Sequence, residues 1–506
     1  MSDPHTSPAP QDDNQLIAER REKLKALREA QRLGKGVAFP NDFKPGHHAA
    51  DLQAHHGAKT AEALLEEGIA VSIAGRMMLK RVMGKASFAT LQDATGRFQI
   101  YVTRDDVGEE VYASFKHWDL GDIVAAEGKL FKTRTGELSV HASRVRLLTK
   151  SLRPMPDKFH GMADQEVKYR QRYVDLMTDQ AARDRFAARS KAVSGIREFM
   201  VAHNFLEVET PMLHPIPGGA NAKPFTTHHN ALDQQMFLRI APELYLKRLL
   251  VGGFERVFEI NRNFRNEGLD KQHNPEFTML EAYQAYGDYE TMMETVESLI
   301  KHVAQKVLGT LVIEHKNAEG LVYKTIDLTN WRRARYKDLV REKAGADWFA
   351  VSPEERRRRA IDDLKLAGDI AAGYEDFEVT GAVFEKLVEP TLIQPTFVTH
   401  LPKELVPLAK RTPDDPTTVE VFECCINGQE ISPGYTEQND PIVQRETLEH
   451  QAGGEQQKLD EDFLVALEHG MPPAGGIGIG IDRLCMMLLG QESIRDVILF
   501  PQMKPR

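Results

Sequence analysis

The sequence predicts an α+β protein, with a small β-barrel preceding a larger domain in which strands and helices alternate. Three observations support this fold class. A chain of 506 residues is too long for one compact core. Residues 69–148 contain five short strand-like runs separated by turns, and helical and strand patterns alternate beyond a proline-containing linker. We place the boundaries at 1–14 (disordered tail), 15–68 (N-terminal helix and loop), 69–150 (barrel), 151–165 (linker) and 166–506 (larger domain, with a helical insertion at about 340–390).

The composition is that of an enzyme in a reducing compartment. No apolar run approaches the roughly 18 residues that a membrane helix needs, and the N-terminus has no apolar segment typical of a secretory signal. Three cysteines cannot form a disulfide framework, and no metal-ligand spacing surrounds them. We therefore expect a cytoplasmic protein without a membrane segment.

Charge is distributed unevenly along the chain. Residues 19–160 carry 24 Lys and Arg against 18 Asp and Glu, whereas residues 161–506 carry 41 against 54. A basic N-terminal third on an acidic body indicates a surface that meets a polyanion. On charge alone, a merely solvated basic face explains the asymmetry equally well.

The first element is a helix over residues 15–33, which lack Pro and Gly and repeat apolar residues at helical spacing beside a basic face. The barrel follows. Five short strands in some 80 residues match a Greek-key barrel of the OB type, which binds single-stranded nucleic acid on one face. Composition alone does not separate an OB barrel from another small barrel. The predicted strands are Val71–Met77, Ser87–Gln92, Phe98–Thr103, Ile123–Phe131 and Leu138–Leu147.

The strongest chemical signal lies between Phe254 and Tyr283. Alternating strand residues lead into a polar loop and return in a second strand, so an antiparallel hairpin presents Arg265, Glu267 and His273 around one loop. The planar arginine fork suits a phosphate, and a glutamate can accept from the adenine amino group. The aromatic ring of Phe277 can stack on a purine.

Three segments together resemble the class II aminoacyl-tRNA synthetases. Phe264-Arg265-Asn266-Glu267, with the downstream His273 and Phe277, resembles motif 2. The run from Gly476 to Arg483 resembles motif 3, a strand entering a helix. Residues 194–211 resemble motif 1, the helix and strand of the dimer interface. The resemblance implies a class II antiparallel sheet flanked by helices, an ATP-dependent ligase and a homodimer.

A closer resemblance, to bacterial lysyl-tRNA synthetases, extends from about Arg20 to Pro501. It includes residues 83–93 and 130–138 of the barrel, and residues 154–161, 240–248 and 494–501 of the rest of the chain. It implies that the barrel reads the anticodon of tRNA(Lys), with an aromatic ring stacked on a base. The alternative interpretation of that ring, Phe88, is barrel core. The implied anticodon-binding residues are Arg76, Phe88, Gln99 and Glu137.

The same resemblance implies where ATP and a metal bind. Arg265 would bind the α-phosphate and the amino-acid carboxylate, and Phe277 and Arg483 would enclose the adenine. Glu423 and Glu430 would hold Mg²⁺, and their spacing predicts two strands joined by a turn. Arg265 and Arg483 are the implied catalytic residues. The residues implied to bind ATP are Arg265, Glu267, His273, Phe277, Glu423 and Arg483.

An acidic pocket for L-lysine is the third implied site. Glu437 and Tyr283 would meet the ε-ammonium, and Glu243 with the backbone at Gly219 would meet the α-amine. Carboxylates select a dibasic ligand because an unpaired buried charge is costly. Any one of these glutamates can instead be only a structural ion pair. The implied substrate-binding residues are Gly219, Glu243, Glu281, Tyr283, Tyr435 and Glu437.

The reaction implied is activation of lysine to lysyl-adenylate, followed by transfer to the 3′-hydroxyl of the terminal adenosine of tRNA(Lys). The lysine carboxylate, already ionised at pH 7, attacks the α-phosphorus and expels pyrophosphate. The reaction is accelerated because the protein positions the two reactants and neutralises their negative charge.

The chain departs from the family pattern near the pocket. Pro433 replaces a usual asparagine, Cys424-Cys425 replaces two bulky apolar residues, and Val406 replaces a usual serine. These changes are either drift or the mark of a paralogue whose altered pocket accepts a lysine analogue. Pro433 removes a side-chain amide and a backbone donor, which predicts a raised KM for lysine.

Three rival functions remain. One is a class II synthetase for aspartate or asparagine, which the acidic pocket disfavours. A second is a non-catalytic tRNA-binding paralogue, which would be free to lose Arg265, Glu423 or Arg483, yet all three are present. The third is a ligase that places lysine-like groups on protein, which the barrel disfavours.

Overall fold

The computed structural model describes residues 13–156, 164–452 and 459–505. The predicted tail at 1–14 therefore falls almost entirely outside the described residues, as does much of the linker predicted at 151–165. The chain divides into two compact units, Met1–Ala163 and Asp164–Arg506. None of the helices in the described ranges has the length and apolarity to cross a membrane.

The first unit is built around a closed five-stranded barrel, in the order β1-β2-β3-β5-β4, so the prediction of an OB-type barrel is confirmed. Burial alternates along β2 and β3, as expected for strands with one face in a core and one face outward. The elements are α1 (Asp13–Arg32), α2 (Ala49–His56), α3 (Ala61–Glu67), β1 (Ala70–Met83), β2 (Ala86–Gln92), β3 (Arg97–Thr103), α4 (Arg104–Val107), α5 (Glu109–His117), β4 (Ile123–Lys132) and β5 (Leu138–Thr149).

Helix α1 is anchored to this barrel by its basic residues. Arg20 is buried, and its guanidinium donates to the carbonyls of Leu120 at 3.1 Å and Arg153 at 2.9 Å. Lys23 donates to the carboxylate of Asp119 at 2.8 Å. Part of the basic face predicted for this helix is thus used within the unit.

The second unit is organised by an eight-stranded sheet in the order β14-β15-β16-β17-β18-β11-β10-β6. Its strands are antiparallel except at the two ends, where β6 runs parallel to β10 and β14 runs parallel to β15. Two smaller sheets, β12-β13 and β7-β9-β8, complete the strands. The strands are β6 (Leu206–Glu207), β7 (Leu213–His214), β8 (Thr226–His229), β9 (Gln234–Leu238), β10 (Arg256–Phe264), β11 (Glu276–Ala285), β12 (Val312–Lys316), β13 (Val322–Asp327), β14 (Arg332–Arg335), β15 (Thr396–Thr399), β16 (Val421–Ile426), β17 (Gln429–Thr436) and β18 (Ala474–Gly480).

Helices cover both faces of this sheet with separate apolar clusters. One cluster joins α8, α10 and α16 to the sheet, and another joins the helical insertion to it. The helices are α6 (Gln165–Arg170), α7 (Arg172–Thr178), α8 (Gln180–Ala202), α9 (Glu243–Val251), α10 (Tyr289–Leu308), α11 (Tyr336–Ala344), α12 (Pro353–Arg358), α13 (Asp376–Val383), α14 (Pro441–Ala452), α15 (Glu461–Glu468) and α16 (Ile481–Leu489).

The insertion is helix-rich, as the sequence indicates, and its charge run is neutralised internally. Arg356 forms a bidentate pair with Asp376, at 2.7 and 2.8 Å. Arg359 pairs likewise with Asp347, at 2.9 Å to each oxygen. Short π-helical and 3-10 turns connect these helices, at Arg359–Asp363, Phe384–Val388 and Glu389–Thr391.

Candidate active site and nucleic-acid surface

The hairpin of β10 and β11 places Arg265 beside Phe277. The two strands pair from Arg256 and Gln284 to Phe264 and Glu276, so the predicted antiparallel hairpin is confirmed. The Arg265 guanidinium lies 5.1 Å from the centre of the Phe277 ring, and its buried Nε has no hydrogen-bond partner among the described residues. Burial lowers the pKa of Arg265, and the charge of Glu281 opposes this shift. An unpaired guanidinium N–H is suited to an anionic ligand.

Arg483, at the start of α16, reaches the same region. Its guanidinium donates to the carbonyl of Glu430 at 3.0 Å and lies 3.1 Å from Nε2 of His273. Nδ1 of His273 lies 2.8 Å from the carboxylate of Asp270. Since Nε2 must accept from the arginine, the proton of a neutral imidazole is on Nδ1 and donates to Asp270.

Asp482 fixes the start of the helix that carries Arg483. This buried carboxylate accepts the backbone N–H of Thr278 at 2.8 Å and also accepts from the guanidinium of Arg189. Arg189 in turn donates to the carbonyl of Val497 at 2.7 Å. These contacts join α8, β11 and α16, and they fix the strand-to-helix junction predicted for motif 3.

Glu423 and Glu430 lie on neighbouring strands, β16 and β17, joined by the predicted turn. A third carboxylate joins them, because Glu389 of the insertion accepts the backbone N–H of Glu430 at 2.7 Å. We call Glu389, Glu423 and Glu430 the strand glutamate cluster. Burial raises the pKa of Glu423 well above its ordinary value, the charges of Glu430 and Glu389 raise it further, and Arg483 opposes them.

The donor chemistry of the strand glutamate cluster fits Mg²⁺ that is held mainly by a phosphate ligand. Carboxylate oxygens are the protein ligands that Mg²⁺ prefers, and one or two suffice when phosphates supply the rest. In the part of the chain that the structure describes, no group of three or more His, Cys, Asp or Glu side chains is arranged to hold a metal ion by itself.

A second acidic site, which we call the acidic pocket, contains Glu243, Glu281 and Glu437. All three are almost fully buried. The Tyr435 hydroxyl donates to Glu243 at 2.6 Å, and the Tyr283 hydroxyl donates to Glu281 at 3.0 Å. Oε1 of Glu437 has no hydrogen-bond partner among the described residues. The structure thus brings together all five predicted pocket side chains.

Lys247 was not predicted at this site. Its ammonium, which is fully buried, lies 2.7 Å from Oε1 of Glu243 and 2.5 Å from Oε2 of Glu437. Burial alone would lower the pKa of Lys247, but the charges of Glu243 and Glu437 more than offset it and the pKa is raised. The lysine is therefore a charged component of the acidic pocket.

Burial also shifts the carboxyl groups of the acidic pocket. It raises the pKa of Glu281 to about 8, with the charge of Glu243 contributing. Burial raises the pKa of Glu437 as well, while the ammonium of Lys247 opposes the shift. Two of the three carboxyl groups therefore take up protons near neutral pH when no cationic ligand is present.

Two glycines make room for this pocket. A side chain at Gly476 would overlap the Glu437 carboxylate and the Tyr283 ring. Close packing therefore requires a glycine at this position of motif 3. Gly219 has a φ of +87°, a conformation that favours glycine, and a Cβ there would lie 3.2 Å from the Cβ of Glu243. This places the Gly219 backbone beside Glu243.

Glu267 lies in the exposed loop of the hairpin. Its carboxylate accepts the backbone N–H of Lys223 at 3.4 Å. The backbone N–H of Asn266 donates to the carbonyl of the same lysine at 2.7 Å. These contacts tie the loop to the segment that precedes β8.

The departures from the family pattern occupy different environments. Cys424 and Cys425 are buried in two different apolar clusters, and Val406 packs against the cluster that contains Cys425. Pro433 lies opposite Glu423 in the β16–β17 register. The Ser432 hydroxyl donates to the carbonyl of Gly478 at 2.6 Å, which satisfies an acceptor beside the position where proline has no N–H.

On the barrel, Phe88 lies on the outward face of β2 and is only partly buried, so the core interpretation of this ring is wrong. Its centre is 4.8 Å from that of Tyr101. The amide of Gln99 donates to Glu137 at 3.1 Å. These residues form an aromatic and polar surface suited to base stacking and base-edge contacts.

Arg76 has a different environment. Its guanidinium donates to the carbonyl of Gly121 at 2.8 Å, and burial lowers its pKa. In the β1–β2 register it is opposite Gln92, four residues or about 13 Å along β2 from Phe88. Arg76 is thus at the far end of this outward surface.

Sequence reasoning missed several residues of these sites. Tyr101 and Phe131 extend the aromatic surface of Phe88, with their ring centres 5.8 Å apart. The outward positions of alternating strands could have identified them. Lys247 stands among leucines in a helix, and Glu389 is far from Glu423 in sequence, so no local pattern marks either residue.

Comparisons with known proteins agree with this geometry. Residues 164–504 match the family model of the class II tRNA synthetases (D, K and N), and residues 71–148 match that of the OB-fold nucleic acid binding domain. A lysine–tRNA ligase of Variovorax paradoxus is 58% identical over 97% of this chain and 95% of its own length. Another from Bordetella bronchiseptica is 54% identical over 100% of this chain and 99% of its own length. The chain belongs to the class II tRNA synthetases of the D, K and N group.

Proposed function

We propose that this protein is a lysine–tRNA ligase, which activates L-lysine with ATP and transfers it to the 3′-hydroxyl of the terminal adenosine of tRNA(Lys). The observation that carries the choice of amino acid is the acidic pocket, in which three buried carboxylates and two tyrosine hydroxyls converge. A buried anionic site binds a dibasic ligand and rejects aspartate, whose side chain would add an unpaired charge. Relatives called lysine–tRNA ligases match nearly the whole chain.

The roles proposed for the pocket residues follow from their positions. Glu437 and Tyr283 receive the ε-ammonium, because Oε1 of Glu437 is buried and unpaired. Glu243 and the backbone at Gly219 receive the α-amine, while Glu281 and Tyr435 hold the neighbouring hydrogen-bonding groups. The lysine carboxylate is then directed towards Arg265, which lies close enough to act electrostatically on Glu281.

The nucleotide is proposed to bind between Arg265 and Arg483. Arg265 neutralises the α-phosphate and the attacking carboxylate, and Phe277 and Arg483 enclose the adenine ring. Glu267 accepts from the adenine amino group, and His273, which contacts Arg483, lies towards the distal phosphates. Because the β10–β11 hairpin, its loop and the start of α16 hold these groups, the two reactants are positioned for in-line attack without a general base.

Glu423 and Glu430 are the proposed Mg²⁺ ligands, with ATP phosphates completing the coordination. The ion, when bound, neutralises the charge that develops on pyrophosphate. The raised pKa of Glu423 supports this role, since burial beside two further glutamates favours a bound cation.

On the barrel, the proposal is that Phe88 stacks on an anticodon base while Gln99 and Glu137 contact base edges and Arg76 adds charge at the end of the surface. Homodimer formation through the segment at 194–211 is part of the proposal, supported by the exposed side chains of Val201 and Leu206 within it. A cytoplasmic location is also proposed, and it is supported by the three free thiols.

The test is ATP–pyrophosphate exchange with lysine, aspartate and asparagine supplied separately. We expect exchange with lysine to exceed that with either rival by at least about 10³-fold, because buried polar groups would be left unpaired by the wrong side chain. Equal or greater exchange with aspartate or asparagine would overturn the proposal. Arg265→Ala should abolish the exchange with lysine.

A further inference from the structure

The acidic pocket contains its own cation, at a position where the proposed substrate also places one. Glu437 is the carboxylate proposed for the ε-ammonium of lysine, and it already lies 2.5 Å from the ammonium of Lys247. Glu243, proposed for the α-amine, lies 2.7 Å from the same ammonium. One buried side chain therefore contacts both ends of the proposed binding site.

We propose that Lys247 is a positioning residue of the acidic pocket, which orients Glu243 and Glu437 and sets the net charge of the pocket to match a substrate with two ammonium groups. The inference rests on the proposed function, since it concerns how that site recognises lysine. Its first support is geometric. Glu243 is one turn before Lys247 on α9, while Glu437 follows β17, so the ammonium links a helix to the sheet.

The second support is charge balance. Three carboxylates and one lysine leave two formal negative charges, which equal the two ammonium groups of L-lysine. The substrate carboxylate is directed to Arg265 and does not enter this balance. Without Lys247, one negative charge would remain unpaired in a buried site after lysine binds, which costs binding free energy. The pocket would then need to take up a proton.

The third support is that Lys247 cannot serve as a surface residue. Its side chain is fully buried, so the ammonium cannot extend to solvent as lysines at helix surfaces do. The rings of Tyr435 and Phe463 lie 5.7 Å and 6.0 Å from the ammonium. These contacts keep the ammonium between the two carboxylates.

The ionisable groups around Lys247 should make the KM for lysine depend on pH. Because burial raises the pKa of Glu281 to about 8 and also raises that of Glu437, the free pocket is partly protonated at pH 7. A dication prefers the ionised carboxylates, so the KM for lysine should fall as pH rises towards 8. Facing these groups are Glu243, Tyr283, Tyr435 and Lys247, with Arg265 and Glu259 acting on Glu281.

The experiment is lysine-dependent pyrophosphate exchange by the full chain from pH 6.5 to 9, comparing Lys247→Met with the unaltered protein. Removing the ammonium takes away the charge that lowers the pKa of Glu437. We expect the KM for lysine at pH 7.5 to rise about tenfold. The pH range over which this KM falls should shift about one pH unit higher, while the KM for ATP stays unchanged. Lys247→Arg, which retains the charge, should restore the pH profile.

The matched control is Arg248→Met, which removes the next cation of the same helix and its contacts with Asp460 and Asp462. It should leave the pH profile of the lysine KM in place. If Lys247→Met behaves like this control, the inference is overturned while the proposed function stands. If the unaltered protein shows no exchange with lysine, the proposed function itself has failed.

A second variant covers the case in which Lys247→Met does not fold. Lys247→Met/Glu437→Gln removes one positive and one negative charge, so the formal net charge of the acidic pocket stays the same. Because the proposal couples Lys247 to Glu437, the effects of the two substitutions should not multiply, and the double variant should have a lysine KM within about threefold of that of Glu437→Gln alone. A lysine KM more than about tenfold higher would contradict the inference.

Discussion

The strand glutamate cluster and the acidic pocket are built from the same residue type, yet they compensate negative charge differently. At Glu423 the neighbouring charges are two further glutamates and the guanidinium of Arg483. In the acidic pocket, the buried ammonium of Lys247 lies between Glu243 and Glu437. Tyrosine hydroxyls donate to two of the pocket carboxylates as well.

This difference indicates which cation each site takes. An inorganic divalent ion needs oxygen ligands and carries enough charge to offset several carboxylates at once. An organic ammonium carries a single charge and is recognised by directed acceptors in a shaped, buried site. The strand glutamate cluster thus suits Mg²⁺ with ATP, whereas the partly neutralised pocket suits lysine.

The largest expected effect comes from a substitution in the strand glutamate cluster, the proposed Mg²⁺ site. Glu423→Gln should lower the rate of pyrophosphate exchange by about 10³-fold, because it removes a charged ligand of the proposed Mg²⁺. The Mg²⁺ concentration for half-maximal exchange should rise, while the KM for lysine changes little. Glu314→Gln, at an exposed position of β12, is the control. An unchanged Mg²⁺ dependence would contradict the assignment.

The complementary variant is Glu437→Gln. It removes the carboxylate proposed for the ε-ammonium and should raise the KM for lysine by about 100-fold, with the Mg²⁺ dependence unchanged. Asp175→Asn serves as the matched control, because Asp175 is another buried carboxylate, paired with Arg172 at 2.7 Å and outside the acidic pocket. If Glu437→Gln instead shifts the Mg²⁺ dependence, the division between the two sites is wrong.

A third variant lies outside both acidic sites. Phe88→Ala removes a ring proposed to stack on an anticodon base, a contact worth about 1–3 kcal/mol. The KM for tRNA in aminoacylation should rise about tenfold or more, whereas pyrophosphate exchange without tRNA should not change. Leu65→Ala, at a highly exposed position of α3, is the control. If Phe88→Ala also lost pyrophosphate exchange, the substitution would affect the active site and would not act on anticodon binding alone.

The smallest expected effect concerns Pro433, which is beside the strand glutamate cluster in the register of the sheet. Pro433→Asn adds a side-chain amide and a backbone N–H, and should lower the KM for lysine by about threefold. The Mg²⁺ dependence should stay the same. An unchanged KM for lysine would mean that the departure from the family pattern is drift.

The sequence predicts the parts of this structure that depend on local pattern. Alternation of apolar and polar residues places the barrel strands and the β10–β11 hairpin within a few residues of their observed ends, except that β1 continues to Met83, six residues beyond the predicted end. Turn residues place Glu423 and Glu430 on adjacent strands. The sequence leaves the position of Phe88 open, and the structure decides it, because Ser87 and Ala89 are buried on either side of it.

Long-range contacts could not be predicted in this way. Lys247 stands between Leu246 and Arg248, where a lysine usually reaches solvent, and only its contact with Glu437, far away in sequence, shows its environment. Glu389 comes from the helical insertion and meets Glu430 through a backbone N–H. The parallel strands at both ends of the sheet are likewise set by chain crossings that no local pattern records.

The most direct test of lysine recognition by the acidic pocket is aminoacylation of total bacterial tRNA by the full chain, with each amino acid supplied separately. We expect that lysine is attached, that the charged tRNA carries a lysine anticodon, and that Glu437→Gln needs about 100-fold more lysine for the same rate. Charging with aspartate or asparagine, or lysine charging that is indifferent to Glu437→Gln, would contradict it.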